Sequence, residues 1–278
     1  MKAATLAGCG AIVLWSFLAL LSRAAAAIPP LQLTAMSFTV AGVLGLGLLA
    51  LRGRLADLRQ KPVAWLHGVG GLFGFHALYF AALALAPPAE ANLINYTWPL
   101  LIVLLSAALL GLRLRPAHLL GTALGAAGCV LLLGGHAAFR GTAVAGYALA
   151  MASAVTWAFY SVLARRLRAV PTGAVAGFCA VTALLALVVH EAIEQTVVPD
   201  RAAWLAALAL GVGPVGAAFF LWDIGMKRGD PRLLGTLAYA TPVASTLVLC
   251  AGGFARFSPT LVLAALLVGA GGLLAARA

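Results

Sequence analysis

Long apolar blocks alternate with short polar punctuation along this chain. Ten blocks stand out, roughly at 3–22, 31–51, 63–86, 89–110, 117–134, 143–164, 172–192, 202–225, 232–252 and 259–276. Each is about as long as an α-helix that crosses a hydrocarbon core roughly 30 Å thick at about 1.5 Å per residue. Backbone polar groups in lipid must be satisfied within the protein, and a helix satisfies its own. The connections are short and leave no space for a soluble domain. The pattern predicts an all-α integral membrane protein with ten transmembrane helices.

Composition agrees with the pattern. Of the 278 residues, 64% are hydrophobic and 9% are charged, against about 25% charged in a soluble domain. A net charge of +11 raises nucleic acid as a partner, but the basic residues form no continuous patch, so no nucleic acid is expected. Alternating spans place Lys2, Arg52, Arg54, Arg59, Lys61, Arg113, Arg115, Arg165, Arg166, Arg168, Lys227, Arg228, Arg232 and Arg277 on one side, 14 of the 18 Lys and Arg. Arg23, Arg140, Arg201 and Arg256 fall on the other. Such an excess marks the cytoplasmic face, so an inner-membrane protein with both termini in the cytoplasm is expected.

Lys2, the following apolar run and Ala24 to Ala27 resemble a cleavable signal peptide, and Leu6-Ala7-Gly8-Cys9 resembles a lipoprotein box with too few residues ahead of it. The segment is read as a true span because the second half of the chain repeats it. Trp15, Phe17, Arg23 and Pro29 recur as Trp157, Phe159, Arg165 and Pro171, each 142 residues on. Gly68, Gly70, Pro88, Tyr96, Pro99, Pro116 and Gly128 recur as Gly211, Gly213, Pro231, Tyr239, Pro242, Pro259 and Gly271, each 143 residues on. Tyr79 is matched in kind by Trp222. A constant offset over several segments is the mark of an internal repeat. Each repeat holds five spans, an odd number, so the second enters the membrane upside down. The expected organisation is a first five-helix repeat at 1–134, a connecting loop at 135–142 and a second, inverted five-helix repeat at 143–278. Many secondary transporters are built so, with the substrate site near the midplane.

The stretch Asn92-Leu-Ile-Asn-Tyr-Thr-Trp-Pro99 lies inside the fourth block. Asn92, Asn95, Tyr96 and Pro99 fall at i, i+3, i+4 and i+7, one face of a continuous helix, with Trp98 beside it. Polar groups at membrane depth need a partner or a cavity. The face therefore lines a binding site or makes hydrogen bonds between helices. Pro99 and its mate Pro242 each remove a backbone donor near midspan, which makes them candidate hinges. On the third block Phe73, His76 and Phe80 share a face, with Tyr79 next to it. His76 is either a hydrogen-bonded core residue or a cavity residue that offers a donor or acceptor to substrate. Trp15 reads as packing between repeats. Trp157 shares a more polar face with Ser153, Tyr160 and Ser161 and reads equally as packing or cavity lining.

Asp223 and Lys227 are spaced for an ion pair at a helix end. Glu90 follows Pro87-Pro88 at a helix N-terminus, where an acid is favourable. No buried carboxylate pair suited to strong proton or sodium coupling is visible. Gly211-x-Gly213-x-x-Gly216 fits a dinucleotide fingerprint, but no strand precedes it and Pro214 interrupts it. Gly121 with Gly125, and Gly70 with Gly74, are spaced for close helix packing. Cys9, Cys129, Cys179 and Cys250 have neither metal-ligand spacing nor a disulfide framework. No catalytic residue, metal or cofactor is predicted, and nothing sets an oligomeric state.

Ten short spans, two five-span repeats and the Trp-x-Phe motif in the first span of each resemble the drug/metabolite transporter superfamily, EamA type. His76 and Tyr79, with Tyr96-Thr97-Trp98-Pro99, resemble the members that export aromatic amino acids. The resemblance implies a central cavity between repeats, alternating access, and export of aromatic amino acids or related metabolites. It assigns His76, Tyr79, Tyr96 and Trp98 to that cavity. Position and repeat symmetry add Asn95, Trp157 and Tyr239. The partners implied are a small-molecule substrate and the lipid bilayer. A broad drug or amine exporter is the competing transport reading, and it would depend on stacking and cation–π contacts. A non-transporting structural subunit would not need a polar midplane face. An intramembrane enzyme would need a reactive set at one depth, and none is seen.

Overall fold

A computed structural model describes residues 2–134, 137 and 139–278. The loop expected at 135–142 therefore lies partly outside the described residues. Among the described residues ten helical spans cross the molecule: Lys2–Ala24, Pro30–Leu51, Pro62–Leu85, Pro88–Leu110, Pro116–Leu133, Gly141–Leu163, Ala174–Ile193, Arg201–Arg228, Pro231–Ala251 and Pro259–Ala276, here spans 1 to 10. There is no strand among the described residues. Large apolar side chains such as Leu6, Leu51, Leu66, Ile193 and Leu266 are exposed on the outside, as a surface solvated by lipid requires.

Local chemistry explains where the spans begin. Spans 2, 3, 4, 5, 9 and 10 open on Pro30, Pro62, Pro88, Pro116, Pro231 and Pro259. Proline suits the first helical position because its missing donor would have no partner there and its φ is already helical. Asp200, Asp230 and Ser258 accept from backbone N–H groups as N-caps of spans 8, 9 and 10. Span 2 receives its cap from far away: Glu194, beyond span 7, accepts from Leu31 N and Gln32 N at 3.0 and 3.1 Å. Span 4 ends at Gly111 with φ +66°, a left-handed conformation that a side chain would strain.

Spans 1 and 8, 2 and 7, 3 and 6, and 5 and 10 make the broad helix pairs, with span 9 packed on span 4. Exchanging each span with the one five places along turns the 1–8 pair into the 3–6 pair and leaves the other three unchanged. Small residues permit the close pairs. A Cβ on Gly121 would sit 2.5 Å from the Gly271 carbonyl oxygen, and one on Gly125 would sit 2.8 Å from the Tyr239 ring. Span 3 differs from the expectation. Nothing lies within 4 Å of a Cβ at Gly70, and Gly74 meets only an ordinary contact at 3.5 Å. Gly68 and Gly71 make the close approach instead, against the rings of Phe178 and Tyr160.

Three spans are broken and one is distorted. Span 1 divides into Lys2–Trp15 and Leu18–Ala24, span 4 into Pro88–Asn95 and Trp98–Leu110, and span 9 into Pro231–Leu237 and Ala240–Ala251. Span 8 carries a π-helical turn at Gly213–Ala217. The breaks in spans 4 and 9 lie just before Pro99 and Pro242, whose rings exclude the carbonyl one turn back. The continuous polar face expected from Asn92 to Pro99 is accordingly split between two half-helices.

Candidate functional site

The breaks gather around four indoles. Trp15 ends the first half of span 1, Trp98 opens the second half of span 4, Trp157 lies within span 6, and Trp222 follows the π turn of span 8. All six centroid distances among these rings fall between 5.0 and 6.4 Å. Trp98 meets the other three edge-on, and Trp157 lies nearly parallel to Trp222. Edge-to-face and offset arrangements suit the ring quadrupole. Trp15 Nε1 donates to the Pro214 carbonyl oxygen in the π turn at 3.0 Å, and Trp222 Nε1 donates to Ser161 Oγ at 3.0 Å. Among the described residues no protein acceptor faces the indole N–H of Trp98 or Trp157.

A second shell of rings surrounds the indoles. His76 touches Phe38 and Phe75 at 5.1 Å each, Phe80 at 6.1 Å and Phe219 at 6.4 Å. Its Nδ1 lies 2.7 Å from the Leu72 carbonyl oxygen. A carbonyl only accepts, so Nδ1 carries the proton, and Nε2 of the neutral ring is an acceptor. Tyr79 stacks on Phe75 at 6.1 Å and donates to Asn92 Oδ1 at 3.1 Å. Asn95 is buried and donates to Ser153 Oγ at 3.1 Å, and the Ser153 hydroxyl donates in turn to the Phe75 carbonyl at 3.1 Å. This chain ties spans 3, 4 and 6 together at the depth of the break.

The residues named from the sequence thus divide. His76, Tyr79, Trp98 and Trp157 come together in or against the indole core, with Asn95 bracing them. Tyr96, whose amide still bonds the Asn92 carbonyl at 2.9 Å, and Tyr239 pack in a separate cluster with Cys129, Leu261 and Val268 of spans 5 and 10. Pro99 and Pro242 are buried just past the breaks. Sequence reasoning missed Phe38 and Phe219, which nothing distinguishes from lipid-facing phenylalanines. Trp222 carried a signal in its repeat relation to Tyr79.

The two ends of the bundle differ. Toward the termini the packing is closed, with Ala11, Leu72, Val162, Met226 and Leu234 fully buried. Charged side chains stitch this end. Arg165 donates to the Gly229 carbonyl at 2.6 Å, Arg166 to that of Leu109, and Arg232 to that of Arg113 at 2.6 Å. Burial alone would raise the Asp230 carboxyl, but Arg232, through its side chain and backbone, holds it below the usual range. Toward the opposite end, Leu18–Ala24 has no buried residue and Ala240–Ala251 buries only Thr241, Pro242 and Val243, while two smaller clusters around Ala25 and Ala207 and around Ala82 and Ala150 hold the other spans together.

These features define a multi-pass α-helical membrane protein whose broken spans surround an aromatic core, closed on the side of its termini. The chain belongs to the EamA-like transporter family, whose profile matches residues 2–134 and again residues 144–277. It is 55% identical, over 96% of its length and 95% of the relative's, to a protein of Ancylobacter novellus named aromatic amino acid exporter YddG. The Salmonella typhimurium protein of that name is 26% identical over 87% of this chain and 86% of its own. The uncharacterized inner membrane transporter YedA of Escherichia coli is 30% identical over 79% of this chain and 72% of its own. A solved crystal structure with 52% identity superposes with a TM-score of 0.96, covering 100% of this chain and 97% of the other.

Proposed function

We propose that this transporter exports aromatic amino acids across the inner membrane by alternating access around the indole core, with both termini in the cytoplasm. The observation that carries the reading is the core itself: four tryptophans, two from each half, converge where the helices break. Flat apolar rings recognise a flat apolar side chain, while a few polar groups orient its head. Those groups are Nε2 of His76 and the indole N–H of Trp98 and Trp157. Tyr79 and Asn95 position them. Tyr96 and Tyr239 belong to the wall that moves with the half-helices, and Pro99 and Pro242 are its hinges.

The two repeats, 1–134 and 143–278, are read as inverted units. The double family match and the exchange pattern of the helix pairs support this. The closed packing at the terminal end fits a state that opens away from the cytoplasm. No enzymatic step is assigned. The name of the 55% identical relative supports the substrate class. Efflux of labelled tryptophan, phenylalanine and serine from protein-loaded vesicles tests it. Tryptophan and phenylalanine should move well faster than serine, and equal rates for all three would overturn the substrate assignment.

A further inference from the structure

At the closed end, starting directly after Trp222, lies a charged pair that the aromatic core does not use. Asp223 Oδ1 and Lys227 Nζ are 2.8 Å apart, with side chains 6% and 5% exposed. Lys227 also donates to the Val170 carbonyl at 2.8 Å, and Thr172 donates to Asp223 Oδ2 at 2.7 Å. These bonds use two of the three Nζ protons and one lone pair on each carboxylate oxygen, so both ions keep capacity for another partner. The pair borders a cavity of about 10 Å³ that it shares with Ala64, His67, Tyr160 and Phe178. His67 stacks on Tyr160 at 5.0 Å, and Tyr160 touches Trp157 at 5.2 Å. A line of rings therefore leads from the ion pair to the indole core.

We propose that Asp223 and Lys227 form an entry station that reads both charges of a zwitterionic substrate before its ring passes to the tryptophans. The proposal rests on the export reading above. An amino acid carries a carboxylate and an ammonium, and each costs several kcal/mol to desolvate unless it meets an opposite charge. The indole core offers only neutral polar groups. The buried acids and lysines among the described residues are Glu90, Asp223 and Lys227, and of these Asp223 and Lys227 form a joined pair of opposite sign. When the terminal end opens, the 164–173 connection that carries Val170 and Thr172 withdraws. The internal ion pair then exchanges for two new ones, Lys227 with the substrate carboxylate and Asp223 with its ammonium. The repeat mates of Asp223 and Lys227, 143 residues earlier, are Phe80 and Ala84. The opposite end thus lacks this station, and the head group meets full opposite charges on the loading side alone.

The test is competition against labelled tryptophan efflux by tryptamine, which lacks the carboxylate, and by indole-3-propionate, which lacks the ammonium. Against the native protein both should compete poorly beside unlabelled tryptophan. Lys227→Gln should reduce tryptophan efflux about tenfold or more, the worth of one charge-assisted hydrogen bond, and should raise competition by tryptamine relative to tryptophan. Asp223→Asn should do the same for indole-3-propionate. The double variant removes both charges while keeping a polar side chain at each position, and it leaves no orphaned ion to unfold the protein. With it, the advantage of tryptophan over both analogues should shrink about tenfold or more, leaving only the preference that the core itself sets. If the single variants do not fold, the double variant decides. A folded double variant in which tryptophan keeps its full native advantage over both analogues overturns the proposal and reduces the pair to a structural clamp. Native vesicles that move no tryptophan would instead overturn the export reading.

Discussion

Replacing Trp98 separates packing from recognition. Its ring meets Trp15, Trp157 and Trp222 at 6.4, 6.3 and 6.1 Å, and its N–H meets no protein acceptor among the described residues. Trp98→Ala should cost about 3–5 kcal/mol of stability, because it removes three ring contacts and leaves a cavity in a buried cluster. Any transport lost with it would then be ambiguous. Trp98→Phe keeps a ring that still packs edge-on, and its stability cost should stay near 1–2 kcal/mol. What it removes is the donor. If the indole N–H binds the substrate carboxylate in the core, losing that charge-assisted bond should cost about 1.5–3 kcal/mol, or roughly a 10- to 150-fold fall in tryptophan efflux. The assay pairs vesicle flux with thermal unfolding of the purified variant in detergent. A Trp98→Phe protein that unfolds near the native temperature and exports tryptophan at the native rate would refute the donor role.

Three further outcomes are expected. In a cysteine-free background, an impermeant thiol reagent added outside cells should label a cysteine at Gly141 and not one at Gln60; the reverse pattern would invert the topology. Pro99→Ala and Pro242→Ala should each slow turnover more than they weaken substrate affinity, since both act on the breaks, whereas equal losses in flux and binding titrations would point to a damaged pocket. Gly121→Val should destabilise the protein by about 1–3 kcal/mol through overpacking against the Gly271 backbone, read as a lower unfolding temperature, while Gly70→Val, with open space around it, should be close to neutral.

The spans were legible because proline, charge and apolar length mark their ends independently, and a helix in lipid has few alternatives. The breaks were half legible. Pro99 and Pro242 announce two of them, but the break after Trp15 has no proline or glycine to mark it, and the π turn at Gly213–Ala217 lies among glycines of several uses. The site was harder to read. A helical wheel placed Tyr96 on the face of Asn92, and the Tyr96 amide does bond the Asn92 carbonyl at 2.9 Å, but the wheel gives no sign that the ring also packs on residues of spans 5 and 10. Trp15, read as packing, does pack, but against the other three tryptophans at the centre. Phe38 and Phe219 close around His76, and an apolar ring on an apolar span gives no sign of which way it faces.

The cap that Glu194 lends to span 2 sets an order of assembly. Its carboxylate binds amides 163 and 162 residues earlier in the chain, and Gln32 returns the contact by bonding both backbone groups of Val197. At roughly 5–20 residues per second of synthesis, span 2 is made about 10–30 s before its cap exists. During that interval two amides at its mouth have only water and headgroups for partners. The first half can therefore enter the bilayer early but reaches its final form late, when the second half arrives to finish it. A chain truncated before Glu194 would leave the ribosome inserted but unfinished, a recognisable target for the quality control of its membrane.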